Sequence, residues 1–312
     1  MKAGRSAGGR TRLSEVGEER LLAGVSRLLP AGRRVVAGIG DDVAVVVAPG
    51  GGDLLLLKTD CMVEQVHFTP ETAAQNVGWK AMMRTLSDFA AVSGIPEFAL
   101  VTLVIERTRE LRWVTKLYRG LARAAARFDV SIVGGETSAT EGPTVIAVSV
   151  AGRVEKNRWV SRTGGRSGDD LFVTGRLGRS VAGKHLRFTA RIEESRWLTR
   201  HFPIHAMMDL SDGLGADLPR LGRSSGLGFR LDRAALPLAR GASVENAISD
   251  GEDYELLFAA SPGICGRLQR RWARKFPKVD LTRIGSLVSA SEVVHDGSGS
   301  DRELRGGYIH FQ

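Results

Sequence analysis

The stretch HAMMDLSDGLGADL, His205 to Leu218, changes its periodicity within a few residues. His205 to Leu210 reads as an apolar strand, and the residues from Ser211 on read as a helix that runs to about Gly226. The junction carries two carboxylates, Asp209 and Asp212. An acid at the end of a buried run costs free energy unless it is paired or ligates a metal. A strand that delivers acids to a helix start therefore sets both the fold class and the chemistry to look for.

The same arrangement recurs upstream. Val35–Gly40 is small and apolar and ends in Asp41 and Asp42, LLLLKT ends in Asp60, and SIVGG ends in Glu136. A helical run from Trp79 to Ala91 carries Asp88 between Leu86 and Phe89. Any one of these acids is most simply a helix cap or a turn residue. Five apolar segments that all carry one are harder to explain so, and gathered together their charges would repel. Few cationic residues adjoin them in sequence, so divalent cations are the natural partners. All-oxygen ligands favour Mg²⁺ or Mn²⁺ over zinc, and Mg²⁺ commonly shares its shell with substrate phosphates. Metal-assisted phosphoryl chemistry is the expectation. GIGDD and VGGET would let a backbone approach phosphate oxygens closely, although GIGDDV lacks the third glycine of a dinucleotide fingerprint. Gly178 to His185, GRSVAGKH, nearly spells a phosphate-binding loop, but His185 stands where the Mg²⁺-binding hydroxyl is required.

The rest of the chain alternates strands and helices. Strands are expected at RVVAGI, VAVVVA, DLLLLKT, EFALVTLVI, DVSIVGG and TVIAVSVAGRV, then at LFVTG, HAMMDL, EDYELLFAA, LTRIGSL and SEVVHD. Helices are expected over SEVGEERLLAGVSRLL with Ser14 as N-cap, over TAAQNVGWKAMMRTLSDFAAVSG, over TRELRWVTKLYRGLARAAARF and over the basic run Arg267–Lys278. The glycine- and charge-rich SRTGGRSGDD, residues 161–170, marks a boundary near the middle. This is an α+β or α/β chain in two parts of similar size.

Composition limits the alternatives. The 312 residues carry a net charge of +9, divided +3 and +6 between the halves, so the surplus is spread out rather than gathered. In the dense run, Leu268, Trp272 and Phe276 mark an apolar face opposite a solvated basic one, and no nucleic-acid partner is expected. Apolar runs are too short to span a membrane. Residues 1–12 are basic, lead into no apolar stretch and read as a disordered tail. Cys61 and Cys265 form no metal or disulfide pattern, consistent with a cytoplasmic protein.

The blocks SEVGE, GIGDDVAVV, KTDCMVEQVHF, VGWKAMMRTLSDFAAVSGIP, VGGETS, SRTGGRSGDDLFVTG, MMDLSDGLGADL, SDGEDYELLF and GYIHF follow one another from about residue 13 to 311. In these blocks the chain resembles the thiamine-monophosphate kinase family, within the superfamily of ATP-dependent enzymes that includes aminoimidazole ribonucleotide synthetase. The resemblance implies an N-terminal domain, residues 13–155, that binds ATP and Mg²⁺ and whose sheet pairs across a homodimer. It implies a C-terminal α/β domain, residues 156–312, and direct transfer of the ATP γ-phosphate onto thiamine monophosphate. It assigns metal binding to Asp42, Thr59, Asp60, Asp88, Glu136, Asp209 and Asp212, of which Asp60, Asp88 and Asp212 are catalytic. ATP contacts fall on Gly135, Glu136, Arg162, Ser211 and Tyr118, and the thiamine substrate on His67, Glu252 and Tyr308.

Four positions depart from the family pattern. Glu136 replaces an aspartate, Lys58 a small hydroxyl residue, Thr85 an asparagine and Asp250 a glycine. Lys58 would either stand in for one metal ion or point away from the site. Two alternatives follow: another superfamily enzyme that forms an acyl- or iminophosphate, or a non-catalytic paralogue that binds nucleotide or thiamine phosphates.

Overall fold

Residues 12–30, 32–290, 304 and 306–308 are described in a computed structural model. The basic tail through residue 11, the strand expected at SEVVHD and residues 309–311 of the closing block lie outside them. The single helix expected at the start is two, α1 (Leu13–Val16) and α2 (Glu18–Ser26), separated by Gly17; Arg12, not Ser14, is the N-cap.

The first sheet contains β1 (Val35–Ala37), β2 (Ala44–Val47), β3 (Leu54–Val63), β4 (Ile95–Glu106), β5 (Ser131–Thr140) and β6 (Val145–Val154), in the order β1-β2-β3-β6-β4-β5. Only β4 and β5 pair in parallel, joined through α4 (Leu111–Ala126), because a parallel pair needs a long crossover. The second sheet contains β7 (Asp170–Thr174), β8 (Ile204–Asp209), β9 (Leu227–Leu231), β10 (Leu256–Ala260) and β11 (Leu281–Ser289). Its order is β8-β10-β7-β11-β9 and every pair is antiparallel, so α+β describes this half rather than α/β. Around it lie α5 (Ile192–His201), α6 (Leu214–Ser224), α7 (Val244–Ser249) and α8 (Cys265–Lys275). On α8, Leu268 and Trp272 are buried, as the spacing predicts.

Helix α3 (Ala74–Ala91) is the central element. It packs against α4, β3 and β6 on one side and α5 and β8 on the other, and most of its residues are buried. Lys80, Arg84, Ser87 and Asp88 lie at spacings of four, three and one, so one polar stripe runs along the buried helix. The helix reaches α4 at van der Waals distance. A Cβ on Gly78 would lie 2.1 Å from the Leu117 carbonyl, and one on Gly120 would lie 2.0 Å from that of Gln75. Gly120→Ala should therefore force α3 and α4 apart and cost about 1–3 kcal/mol, read as a lower urea midpoint with unchanged slope. An unchanged midpoint would mean that the crossing is not tight.

On β3, Leu54, Leu56 and Met62 are buried while Leu57, Thr59 and Cys61 are exposed. Lys58 and Asp60 thus point toward α3, and Thr59 points to the opposite face.

Candidate active site

Three carboxylates from three separate elements meet at the centre of the molecule. Asp42 precedes β2, Asp88 lies in the last turn of α3 and Asp209 ends β8; all are buried. One oxygen of each lies within 4.8 Å of the others. Ser87 donates a 2.6 Å hydrogen bond to Asp209 Oδ2 and fixes its orientation. Burial and the adjacent Asp42 push the Asp209 carboxyl up to about 7, partly offset by the Ser87 bond. Burial, with Asp60, Asp209 and Asp42, raises Asp88 well above the usual carboxylate range, although Lys58 opposes it. Asp41, beside Asp42, is raised to about 6, mainly by burial. An oxygen-only donor set of this density suits a hard divalent cation.

Cations surround the cluster, although few adjoin the acids in sequence. Lys58 Nζ lies 3.0 Å from Asp88 Oδ2. Burial pulls its ammonium down, but Asp88, Asp60 and Asp42 outweigh that and hold it above its usual value. Arg162 engages both oxygens of Asp42, with Nε 2.9 Å from Oδ2 and a second, shorter contact from Nη2 to Oδ1. Arg84 Nε approaches Asp60 to 3.8 Å. Arg220 donates to Asp212 at 2.9 Å and to the fully buried Asp217 at 2.7 Å. Asp217 in turn accepts from the backbone N–H groups of Ser211 and Asp212, at 3.1 and 3.0 Å, and so shapes the acid-bearing turn. Lys58 therefore points into the cluster.

A second polar group adjoins the first through the α3 stripe. Lys80 is fully buried. Its Nζ lies 2.6 Å from Glu252 Oε1, 2.7 Å from the His67 carbonyl and 3.0 Å from His185 Nδ1. His185 Nδ1 also lies 2.6 Å from Glu252 Oε2, and the Tyr254 hydroxyl donates to Oε1 at 3.3 Å. Burial raises the Glu252 carboxyl, but His185 and Lys80 outweigh it and bring it down to about 2. The strand expected at EDYELLFAA begins only at Leu256. Glu252 and Tyr254 have φ of 55° and 51°, and their N–H groups bond the carbonyls of Ser211 and Leu210 at 2.7 Å each. Non-glycine residues held in the left-handed region mark an over-determined loop. Here the loop is locked to the turn that carries Asp212. The near P-loop is two 3₁₀ turns, Ser180–Ala182 and Lys184–Leu186, with Lys184 on Asp253 and Glu255 and His185 on Glu252.

Other expected residues lie elsewhere. The Thr59 hydroxyl accepts a 3.0 Å bond from Ser149 on the open face of the sheet, away from Lys58 and Asp60. Glu136 pairs in register with Thr102, three strands from β3. Neither joins the carboxylates within one chain. Gly135 closes tightly on β4, since a Cβ there would lie 1.8 Å from the Val101 carbonyl. Tyr118 is on α4, packed against the core. Tyr308 is exposed, and its N–H donates to the Asp212 carbonyl at 2.8 Å. Lys80, His185, Arg84 and Ser87 were not among the expected site residues. The signal for three of them was a polar period of three to four in an otherwise apolar helix.

Residues 40–154 match the N-terminal domain of AIR synthase related proteins, and residues 142–265 match their C-terminal domain. A thiamine-monophosphate kinase of Rhodopirellula baltica is 35% identical over 93% of this chain and 95% of its own length. That of Aquifex aeolicus is 33% identical over 96% of this chain and 100% of its own. A solved structure described as AaThiL complexed with AMPPCP and TMP superposes with a TM-score of 0.83 at 32% identity, covering 97% of this chain and 99% of that one. The hydrogenase maturation protein HypE of Escherichia coli shares the fold alone, at 18% identity and a TM-score of 0.66. Identity near one third along almost all of both partners is nearly double what that shared fold retains, and it makes the chain a member of the thiamine-monophosphate kinase family.

Proposed function

We propose that the chain transfers the γ-phosphoryl group of ATP directly to thiamine monophosphate, giving thiamine diphosphate and ADP. The observation that carries this reading is the match, over nearly the whole chain, to a kinase structure holding an ATP analogue and TMP. The acidic cluster lies beside the buried Lys80–Glu252 group, which gives an arrangement with a phosphate side and an acceptor side.

Asp42, Asp88 and Asp209 would hold Mg²⁺, with Asp60 and Asp212 at the flanks. The ion, when bound, would offset charge on the phosphates. The residues of the chain position the reactants. Arg162 presents a planar fork that can exchange Asp42 for a phosphate. Glu252, ionised and fixed, complements the cationic thiamine, and Tyr308 offers it an aromatic face. No side chain is needed as a base, because the acceptor is a phosphate oxygen already largely ionised at neutral pH, and such transfers are mostly positioning and charge neutralisation. The new bond joins that oxygen to the γ-phosphorus as the bond to the β,γ-bridging oxygen breaks.

The open face of the first sheet exposes Leu57, Phe98, Leu100 and Val133 together. An apolar face of this kind supports a homodimer formed through it. Thr59 and Glu136, on or beside that face, would then act only with the second subunit in place. Among the described residues no helix is long and apolar enough to cross a membrane.

The test is an ADP-release assay with ATP, Mg²⁺ and thiamine monophosphate, with the product identified by chromatography. Thiamine diphosphate should form in step with ADP; ADP without it would point to another phosphate acceptor. Tyr308→Ala should raise the KM for thiamine monophosphate about 10-fold, equivalent to about 1.4 kcal/mol, with little change for ATP. Its contact with Asp212 is through the backbone and survives in alanine. Equal effects on both substrates would remove Tyr308 from the thiamine side.

A further inference from the structure

Lys58 is the cation paired with Asp88 in the acidic cluster. It stands on β3, where the strand alternation turns it to the α3 side, and its ammonium contacts Asp88 at 3.0 Å with Asp60 and Asp42 as its other charged neighbours. Leu57 and Thr59 on either side face the opposite way, so the strand directs the Lys58 side chain to the face that carries Asp60. Arg162 and Arg84 meet other acids of the cluster: the first is doubly bonded to Asp42, and the second is 3.8 Å from Asp60. An ammonium is a compact point charge with three donors and no coordination geometry to satisfy. Asp88, its partner, is one of the three acids whose oxygens converge within 4.8 Å. Gathered without it, these carboxylates would repel one another.

We propose that Lys58 is a built-in cation that takes the place of one divalent ion. The chain then assembles its phosphate site with one fewer metal ion than the same cluster holds when residue 58 is a small hydroxyl. Lys58 acts as a positioning residue: it keeps the carboxylates gathered in the metal-free protein and leaves the remaining ions to bind a site already formed. The proposal rests on the reading of the cluster as a metal site, and not on which phosphate acceptor the enzyme uses.

The experiment counts Mn²⁺ ions bound per chain by equilibrium dialysis and electron paramagnetic resonance. It uses the full chain with AMPPCP and without thiamine monophosphate. Wild type, Lys58→Thr, Lys58→Met and Lys58→Arg are compared. Lys58→Thr should bind one more Mn²⁺ than wild type, and Lys58→Arg the same number as wild type. In EDTA, Lys58→Thr and Lys58→Met should melt below wild type, and Mn²⁺ should raise their melting temperatures by more than it raises that of wild type. Equal Mn²⁺ counts for wild type and Lys58→Thr would overturn the proposal. So would a Lys58→Thr protein that fails to fold even with Mn²⁺, because a hydroxyl plus a metal ion must be able to replace the ammonium. The dialysis contains no thiamine compound, so an enzyme with a different acceptor gives the same counts. Failure of the kinase reading would appear only in the product assay.

Discussion

Asp88→Asn lowers kcat about 100-fold or more and leaves the metal-free fold at least as stable as before. The two effects have opposite origins in one geometry. Asp88 brings its charge to a point where the oxygens of Asp42 and Asp209 already converge, and no other acid on α3 reaches that point. Removing the charge weakens whatever neutralises the transferring phosphoryl group, and a factor of 100 corresponds to about 2.7 kcal/mol of transition-state stabilisation. The same charge works against folding. Burial and its acidic neighbours raise the carboxyl of Asp88 well above its usual range despite Lys58, so ionising it at neutral pH favours the unfolded chain. Asparagine keeps the shape without the charge, and Lys58 retains Asp60 and Asp42 beside it. Steady-state rates and thermal melts in EDTA separate the possibilities. A slow variant with an unchanged or higher melting temperature supports a site held at a cost to stability. A near-normal rate would remove Asp88 from the chemistry. A slow variant that melts lower would make it a structural acid.

The carboxylates were legible in the sequence because each is a local signal, an apolar run that carries an acid, and local signals survive without tertiary information. The opposed faces of Thr59 and Asp60 were legible too, since neighbours on a strand point apart; the alternation places Lys58 with Asp60 and Thr59 with Cys61. What Lys58 would touch was not, because its partner lies thirty residues away on α3. The ion pairs of the other cations were not legible either, including that of Arg162, which was expected on ATP. Arg162 and Arg220 meet their acids across 120 and 8 residues, and His185 reaches Glu252 across 67. β9 escaped because its five residues, LGFRL, include Gly228 and Arg230 and no β-branched residue, and α7 because six residues are too few to show a period. The antiparallel order of the second sheet could not be read from alternating strands and helices, which suit α/β and α+β equally.

Lys80→Met should cost about 3–5 kcal/mol of stability, the penalty for removing one partner of a buried ion pair and leaving the other in place. Lys80 carries its charge on α3, while Glu252 and His185 belong to the half built on the second sheet. The pair therefore joins the two halves of the chain beside the carboxylate cluster. Methionine fills most of the volume, so the loss reads as electrostatic rather than as a cavity. Glu252 is held down to about 2 in the folded protein, from 4.5 otherwise, so its contribution is complete above about 4.5 and lost as the pH falls toward 2. Without Lys80 the depression should be smaller, so less stability is lost on acidification and the loss is complete at a higher pH, with His185, 2.6 Å away, and the Tyr254 hydroxyl still opposing protonation. Urea melts of Lys80→Met, Glu252→Gln and the double variant measure the coupling. The double variant should recover at least 1 kcal/mol relative to the sum of the single losses, because neither charge is then buried alone. Strict additivity would mean that the two side chains stabilise the fold independently. If Glu252 must also stay ionised to hold the thiamine cation, Lys80→Met raises the KM for thiamine monophosphate more than that for ATP. A stability loss with both KM values unchanged would confine Lys80 to joining the halves.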